Sequence, residues 1–161
     1  MDYPWIKIAK SYIGLKEIPG TNHNPTILTW LKKLKAWWMD DETPWCAVYL
    51  AHCFKECGLA IPKLYMRASE WSNDWGVKLV QPMDGCVAVF TRSGGGHVGF
   101  VMGITPDNFL LILGGNQGDQ VNIRKFSRDR VVGYYWPKDY PLPTARLSIL
   151  SSTAEVSTRE A

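Results

Sequence analysis

Long apolar runs, clustered basic residues and internal repeats are all missing from this sequence. No stretch reaches the roughly 20 apolar residues that a membrane-spanning helix needs, so we expect no stable insertion into a bilayer. The net charge is only +3, and no cluster of lysine and arginine with interleaved aromatics follows a groove. These two absences argue against a membrane protein and against a nucleic-acid-binding protein.

Cysteine is scarce as well. The four cysteines lie in apolar surroundings and are too few for a disulfide scaffold, so we expect reduced thiols at Cys46, Cys53, Cys57 and Cys86. The N-terminus lacks the basic start, the apolar stretch and the small-residue cleavage site of a secretory signal. This predicts a protein that first accumulates in the cytoplasm of the cell that makes it.

What is present fits one domain with a core of its own. The chain has 161 residues, of which 46% are hydrophobic and 12% aromatic. We assign residues 1–143 to the domain. Residues 144–161 are rich in serine and threonine, and we expect them to form a flexible or weakly helical tail.

The hydrophobic period changes from helical to alternating near Gly76. Before it, three helices and a short fourth one are predicted: from Asp2 and Pro4 to Gly14, from Asn24-Pro25 to Leu34, from Thr43 to Gly58, and from Ala68 to Trp75. After it, β-rich runs cover Val77–Val80, Cys86–Thr91, His97–Ile104, Phe109–Leu113, Val121–Phe126 and Val131–Trp136. Helices followed by neighbouring strands predict an α+β fold, with an antiparallel sheet of about five to six strands on the apolar third helix.

Three segments carry the residues that nucleophilic catalysis requires. Cys46 falls in the first turn of the third helix, where the helix dipole and unbonded N–H groups stabilise a thiolate. His97 begins a strand after a run of glycines, and Asn116 follows Gly114-Gly115 at the end of the next strand. Because antiparallel neighbours reverse direction, we expect His97 and Asn116 to meet at the end of the sheet that faces Cys46. The trio predicts a cysteine peptidase or amidase with Cys46 as nucleophile, His97 as base and Asn116 as orienting residue.

The spacing leaves other roles open. The backbone N–H of Cys46 is a candidate oxyanion donor, and no second donor stands out. Trp45 either walls a substrate cleft or belongs to the core. Cys53 and Cys57 lie four apart beside His52, but His52 points to another side of the helix and the spacing matches no common zinc pattern. We therefore expect no metal site there.

Taken in order, these motifs resemble those of papain-like peptidoglycan hydrolases of the NlpC/P60 and CHAP type. The matching segments are Pro44-Trp45-Cys46, Gly96-His97-Val98-Gly99 and Gly114-Gly115-Asn116-Gln117, a set found in a small phage-type family. The segments Gly14–Gly20 and Gln81–Phe90 are also similar, so the likeness spans roughly Pro4 to Pro137.

The resemblance implies a papain-like fold and a hydrolase of bacterial peptidoglycan. The implied enzyme is an endopeptidase or an N-acetylmuramoyl-L-alanine amidase that acts through Cys46, His97 and Asn116, without metal or organic cofactor. We expect Trp45, Gln117 and Glu17 to be substrate-side residues, and we expect a monomer.

The sequence departs from the family pattern at the third catalytic position. CHAP proteins often carry a glutamate two residues before the asparagine, where this chain has Gly114, and the second histidine of many NlpC/P60 proteins is missing. Gln117 and Asp119 are therefore rivals of Asn116.

The biological setting follows only from the resemblance. We expect a phage endolysin that is made in the host cytoplasm and acts on the cell wall after release. A secreted antibacterial amidase effector would use the same chemistry. A non-catalytic domain that binds wall peptides or a protein is the alternative from another class.

Overall fold

The computed structural model describes residues 3–20, 22–41, 44–73, 75–92 and 95–157. Its α-helices are α1 (Pro4–Ser11), α2 (Pro25–Lys33) and α3 (Cys46–Glu56). The Asn24 side chain caps α2 by accepting a hydrogen bond from the Thr26 N–H at 2.9 Å, as the Asn-Pro start predicts. The predicted caps Asp2 and Thr43 lie outside the described residues. None of the described helices has the length and apolar character needed to cross a membrane.

A six-stranded antiparallel sheet follows the helices along the chain, which confirms the predicted α+β fold. Its strands are β1 (Val77–Leu79), β2 (Val87–Arg92), β3 (Gly95–Ile104), β4 (Leu110–Gly114), β5 (Asn122–Phe126) and β6 (Val131–Trp136). Their order across the sheet is β1-β6-β2-β3-β4-β5. Each neighbouring pair is antiparallel, so consecutive strands β2 to β5 form a meander with β6 returning to the other side of β2.

The third helix is the centre of the core, as its apolar sequence predicts. Every residue from Cys46 to Phe54 is buried, because α3 packs against α1 and α2 as well as against β3 and β4. The Phe54 ring has four aromatic neighbours with centroids 5.1–5.7 Å away: Trp5, Trp71, Trp75 and Phe100. This packing holds the start of α3 in a defined place relative to the sheet.

The predicted fourth helix is shorter than expected. A 3-10 helix covers only Ala68–Ser72, and Trp75 lies beyond it. The indole N–H groups of Trp71 and Trp75 donate to the carbonyls of Tyr65 and Ala60, at 3.0 and 2.9 Å. These bonds tie both tryptophans to the preceding loop, so a continuous α-helix through Trp75 does not form.

The described part of the tail, which we expected to be flexible or weakly helical, makes two isolated β-bridges to the sheet. Ile149 bridges Ile104 and Val156 bridges Lys125, both in parallel orientation. β5 is an edge strand in the sheet order, and Lys125 exchanges main-chain hydrogen bonds with Glu155 and Ser157. The tail thus pairs backbone groups that an edge strand otherwise leaves to solvent.

Candidate active site

Cys46 is the first residue of α3, at the end of the helix where its reactivity was predicted. The preceding residue, Trp45, has a non-helical backbone, and its side chain does not cap the helix. The N–H groups of the first turn have no acceptor inside the helix and stabilise negative charge at this point. Cys46 is 6% exposed, more than any other residue as far as Phe54. The start of α3 is therefore where its buried face comes nearest to solvent.

Burial raises the pKa of the other three thiols. Cys53 and Cys86 are fully buried, which raises the pKa of Cys53 well above its ordinary value and that of Cys86 to about 12. Burial also raises the pKa of the half-buried Cys57. No disulfide joins the four cysteines, all of which lie in the described ranges. Three of the four thiols are thus held in the unreactive protonated form at neutral pH.

His97 lies near the start of β3 in an aromatic slot. Its ring is fully buried and stacks on Phe126, with centroids 5.4 Å apart and planes only 2° from parallel. Phe90, its cross-strand neighbour, is 6.1 Å away on the same side of the sheet. The imidazole Nε2 lies 3.0 Å from the side-chain oxygen Oε1 of Gln117. The slot and this hydrogen bond together set the orientation of the ring.

The amide of Gln117 can adopt one orientation only. Its Nε2 donates to the main-chain oxygens of Ile112 and Asn122, at 3.2 and 2.9 Å, and to Asn122 Oδ1 at 2.9 Å. A flipped amide would place an acceptor against these three oxygens, so Oε1 must face His97. Since Oε1 can only accept, the neutral imidazole carries its proton on Nε2 and its lone pair on Nδ1. Nδ1 is therefore the basic nitrogen of this ring.

Two glycines bring His97 and the start of α3 together. A Cβ atom added to Gly114 would lie 3.3 Å from His97 Nε2 and within 2.3 Å of Gln117 Oε1. A Cβ atom added to Gly115 would lie 2.7 Å from the Trp45 ring. A side chain at either position would clash, which explains the glycine pair in the motif. One dipeptide thus lies between the imidazole and Trp45, the residue that precedes Cys46.

Asn116 does not make the contact that its position suggested. It is fully buried with a φ of 60°, and neither its amide nitrogen nor its amide oxygen makes a hydrogen bond with the described part of the chain. The hydrogen bond to His97 expected of Asn116 comes instead from its neighbour Gln117, one of the two rivals. The left-handed backbone at Asn116 explains the difference, because it turns the chain so that the following residue reaches the imidazole. The other rival, Asp119, sits in the turn before β5 and its main-chain oxygen accepts from Glu17.

Trp45 and Glu17 support the site from the side of the N-terminal loop. The indole N–H of Trp45 donates to Glu17 Oε1 at 2.7 Å, and Trp45 is only 1% exposed. Gln117 is fully buried as well. Trp45 and Gln117 are interior residues that bond Glu17 and His97, respectively. Of the three expected substrate-side residues, the half-buried Glu17 is the one that reaches the surface.

Asp41 is a supporting residue that the sequence did not single out. Its buried carboxylate accepts from the N–H groups of Ile18 and Asn24, at 2.9 and 2.7 Å, and lies 3.1 Å from His23 Nδ1. Burial alone would raise the pKa of Asp41, but these three hydrogen bonds outweigh it and lower the pKa. The carboxylate fastens the loop that follows Glu17 to the segment that leads into α3. The sequence shows an acid at Asp41, five residues before Cys46, but it does not distinguish Asp41 from the neighbouring acids Asp40 and Glu42.

No cluster of three or more histidine, cysteine or acidic side chains suited to a metal occurs among the described residues. His52 instead packs against Trp30, with ring centroids 5.2 Å apart, and hydrogen bonds with the Tyr12 hydroxyl at 3.0 Å. Cys53 belongs to the core.

The family model of the CHAP domain matches residues 38–116, a segment that contains Cys46, His97 and Asn116. The match supports a CHAP-type family. The six-stranded α+β fold is consistent with the CHAP, papain-like architecture. CHAP domains are in general peptidoglycan hydrolases of amidase or peptidase type. No curated protein matches the chain. The CHAP-type segment ends one residue before Gln117, so the hydrogen-bond network on His97 extends beyond it.

Proposed function

We propose that this protein is a cysteine hydrolase of peptidoglycan, with Cys46 as nucleophile and His97 as base. The observation that carries the proposal is the orientation of His97 by Gln117. It leaves the basic Nδ1 on an imidazole that one glycine pair separates from the start of α3. A thiol at a helix start and an oriented imidazole are the parts that amide cleavage requires.

The chemistry follows in two steps. His97 Nδ1 takes the proton of the Cys46 thiol, and the thiolate attacks the carbonyl carbon of the scissile amide. The imidazolium then gives its proton to the leaving amine, which leaves an acyl thioester on Cys46. Water attacks the thioester with His97 again as base, releasing the acid and the free thiol. Gln117 acts as a positioning residue, since it contacts only the far nitrogen of the ring.

The substrate class comes from the CHAP match, and the bond is either the muramyl–alanine amide or a peptide bond of the stem. The net charge of +3 would favour approach to an anionic cell envelope. The motif set supports a phage endolysin that is released from the host cytoplasm to reach the wall. That role stays a prediction, and an adjacent holin gene would favour it, whereas an adjacent immunity gene would favour an antibacterial effector.

The test is digestion of purified peptidoglycan, followed by mass spectrometry of the released fragments. We expect release by the wild type and none by Cys46→Ala, and the fragment masses would identify the bond. Cys57→Ala is the matched control, because it removes the other partly exposed thiol, and it should release fragments at the wild-type rate. Equal release by wild type and Cys46→Ala would remove the nucleophile from the mechanism.

Thiol labelling separates an enzyme from a non-catalytic binding domain. Iodoacetamide at pH 6 to 7 should modify Cys46 before Cys53, Cys57 and Cys86, whose pKa values burial raises. Peptide mapping of the labelled protein gives the order. Slow and equal labelling of all four cysteines would favour the binding domain.

A further inference from the structure

We infer that Asn122 is a positioning residue for the reaction, because it holds Gln117 at two points and thereby sets the tautomer of His97. The inference rests on the proposed function and adds a residue that lies outside the CHAP-type segment and its motifs.

The two contacts between Asn122 and Gln117 are reciprocal. Asn122 Oδ1 accepts from the side-chain nitrogen of Gln117 at 2.9 Å, and Asn122 Nδ2 donates to the main-chain oxygen of Gln117 at 2.9 Å. The first contact helps to point Gln117 Oε1 at His97. The second contact holds the backbone from which the Gln117 side chain starts. One asparagine therefore holds both the side-chain amide and the backbone of Gln117.

The turn between the two residues makes this pairing possible. Gly118 and Asp119 have φ values of 66° and 64°, as in a type I′ turn, and the Gln117 N–H donates to Gln120 O at 3.0 Å. The chain reverses within these residues and enters β5 at Asn122, opposite Gly114 of β4. Gly114 is the residue at which an added Cβ atom would lie 3.3 Å from His97 Nε2. The hairpin thus places Asn122 one strand away from the imidazole.

Removal of the Asn122 side chain should act on the chemical step. Gln117 would keep the main-chain acceptors Ile112 O and Asn122 O for its amide nitrogen, but its backbone oxygen would lose a donor. The hydrogen bond from His97 Nε2 would then be held less firmly, and the proton would distribute between the two ring nitrogens. Substrate binding should change little, because the Asn122 side chain bonds Gln117, which is itself fully buried.

The kinetic experiment compares Asn122→Leu with Asn122→Asp and a matched control. Asn122→Leu removes both hydrogen bonds at similar volume and should lower kcat about 10- to 100-fold with KM changed less than about threefold. Asn122→Asp keeps the acceptor for Gln117 Nε2 and loses the donor, so its kcat should lie between those of Asn122→Leu and wild type. Asn73→Leu makes the same chemical change at an exposed asparagine whose side chain donates to Glu70, and should match wild type.

A spectroscopic measurement tests the tautomer without any need for activity. In a Cys46→Ala background, which lacks the thiol, ¹⁵N NMR of the labelled imidazoles should show His97 protonated on Nε2. Adding Asn73→Leu should leave that signature unchanged. Adding Asn122→Leu should shift it toward a mixture of tautomers, and adding Asn122→Asp should retain most of it.

The two readouts keep the inference separate from the proposed function. An unchanged tautomer and unchanged kcat in folded Asn122→Leu would overturn the role of Asn122, as would a loss of stability with the tautomer intact. If Asn122→Leu does not fold, Asn122→Asp must by itself lower kcat by about threefold or more, and full wild-type kcat would overturn the role. If no peptidoglycan is cleaved by the wild type, the proposed function fails, and the tautomer measurement still decides for or against Asn122.

Discussion

Two buried imidazoles in this chain look alike locally and differ in what surrounds them. His52 lies in the middle of α3, is 3% exposed, stacks on Trp30 and has its Nε2 3.0 Å from the Tyr12 hydroxyl. His97 lies at the start of β3, is fully buried, stacks on Phe126 and has its Nε2 3.0 Å from Gln117 Oε1. Burial, stacking and one hydrogen bond are common to both.

The hydrogen-bond partner makes the difference between the two sites. A tyrosine hydroxyl can donate or accept, so the contact at His52 does not select a tautomer. The Gln117 oxygen can only accept, because its amide nitrogen is committed to other oxygens. Burial lowers the pKa of His52 to about 4 and keeps that ring neutral at ordinary pH. A buried histidine is therefore a core residue at one site and an oriented imidazole, the base of the proposed mechanism, at the other.

The largest effect on activity is expected from removing the imidazole of His97, with replacement of His52 as the comparison. His97→Ala should lower the rate of fragment release from peptidoglycan by about 100-fold or more, because the proton transfers lose their carrier. His52→Gln keeps an oxygen that can accept from the Tyr12 hydroxyl and should retain the wild-type rate within about threefold. Circular dichroism checks that both variants are folded. If both folded variants lost activity to a similar extent, the different surroundings of His97 and His52 would not explain catalysis.

A smaller loss of activity is expected at Gln117, and it should distinguish Gln117 from its neighbour Asn116. Gln117→Leu removes the acceptor for His97 Nε2 and should lower kcat about 10- to 100-fold. Asn116→Gly suits the positive φ and removes a buried amide that makes no hydrogen bond with the described chain, so activity should stay within about twofold of wild type. Steady-state kinetics on one peptidoglycan preparation give the comparison. The reverse ranking would return the orienting role to Asn116.

The smallest expected effect concerns stability at the other imidazole. Burial lowers the pKa of His52 from 6.5 to about 4 in the folded protein. As the pH falls, the imidazole therefore takes up its proton at a higher pH in the unfolded chain than in the folded one. His52 should therefore contribute its full stability above pH 6.5, and that contribution should decline as the pH falls toward 4. Glu56, 4.0 Å away, favours the charged ring and is included in this pKa.

Thermal unfolding from pH 8 to pH 4 measures this contribution. The Tm of the wild type should fall more steeply below pH 6.5 than that of His52→Gln, which cannot titrate. Parallel curves for the two proteins would show that His52 is not the titrating group.

The elements were predictable because their patterns are local. The strands end within a few residues of their predicted limits, since alternation and turn residues mark both ends of each run. The 3-10 helix at Ala68 was predicted too long, because its end depends on indole hydrogen bonds to residues earlier in the chain. The tail was predicted without pairing, because its partners are strands far from it in sequence.

The sequence by itself determined the α+β fold, the place of Cys46 at the start of the central helix, and the place of His97 at the start of its strand. Period, capping residues and glycine runs are properties of neighbouring residues, and they suffice for this. Only the tertiary structure decided which carboxamide meets the imidazole. Asn116 and Gln117 are adjacent and chemically alike, and a left-handed backbone at the first turns the second toward His97. The acceptors that orient Gln117 lie five residues to either side of it, in β4 and at the start of β5, and the hairpin turn brings them together. The tautomer of His97 therefore depends on a turn geometry that sequence spacing does not encode.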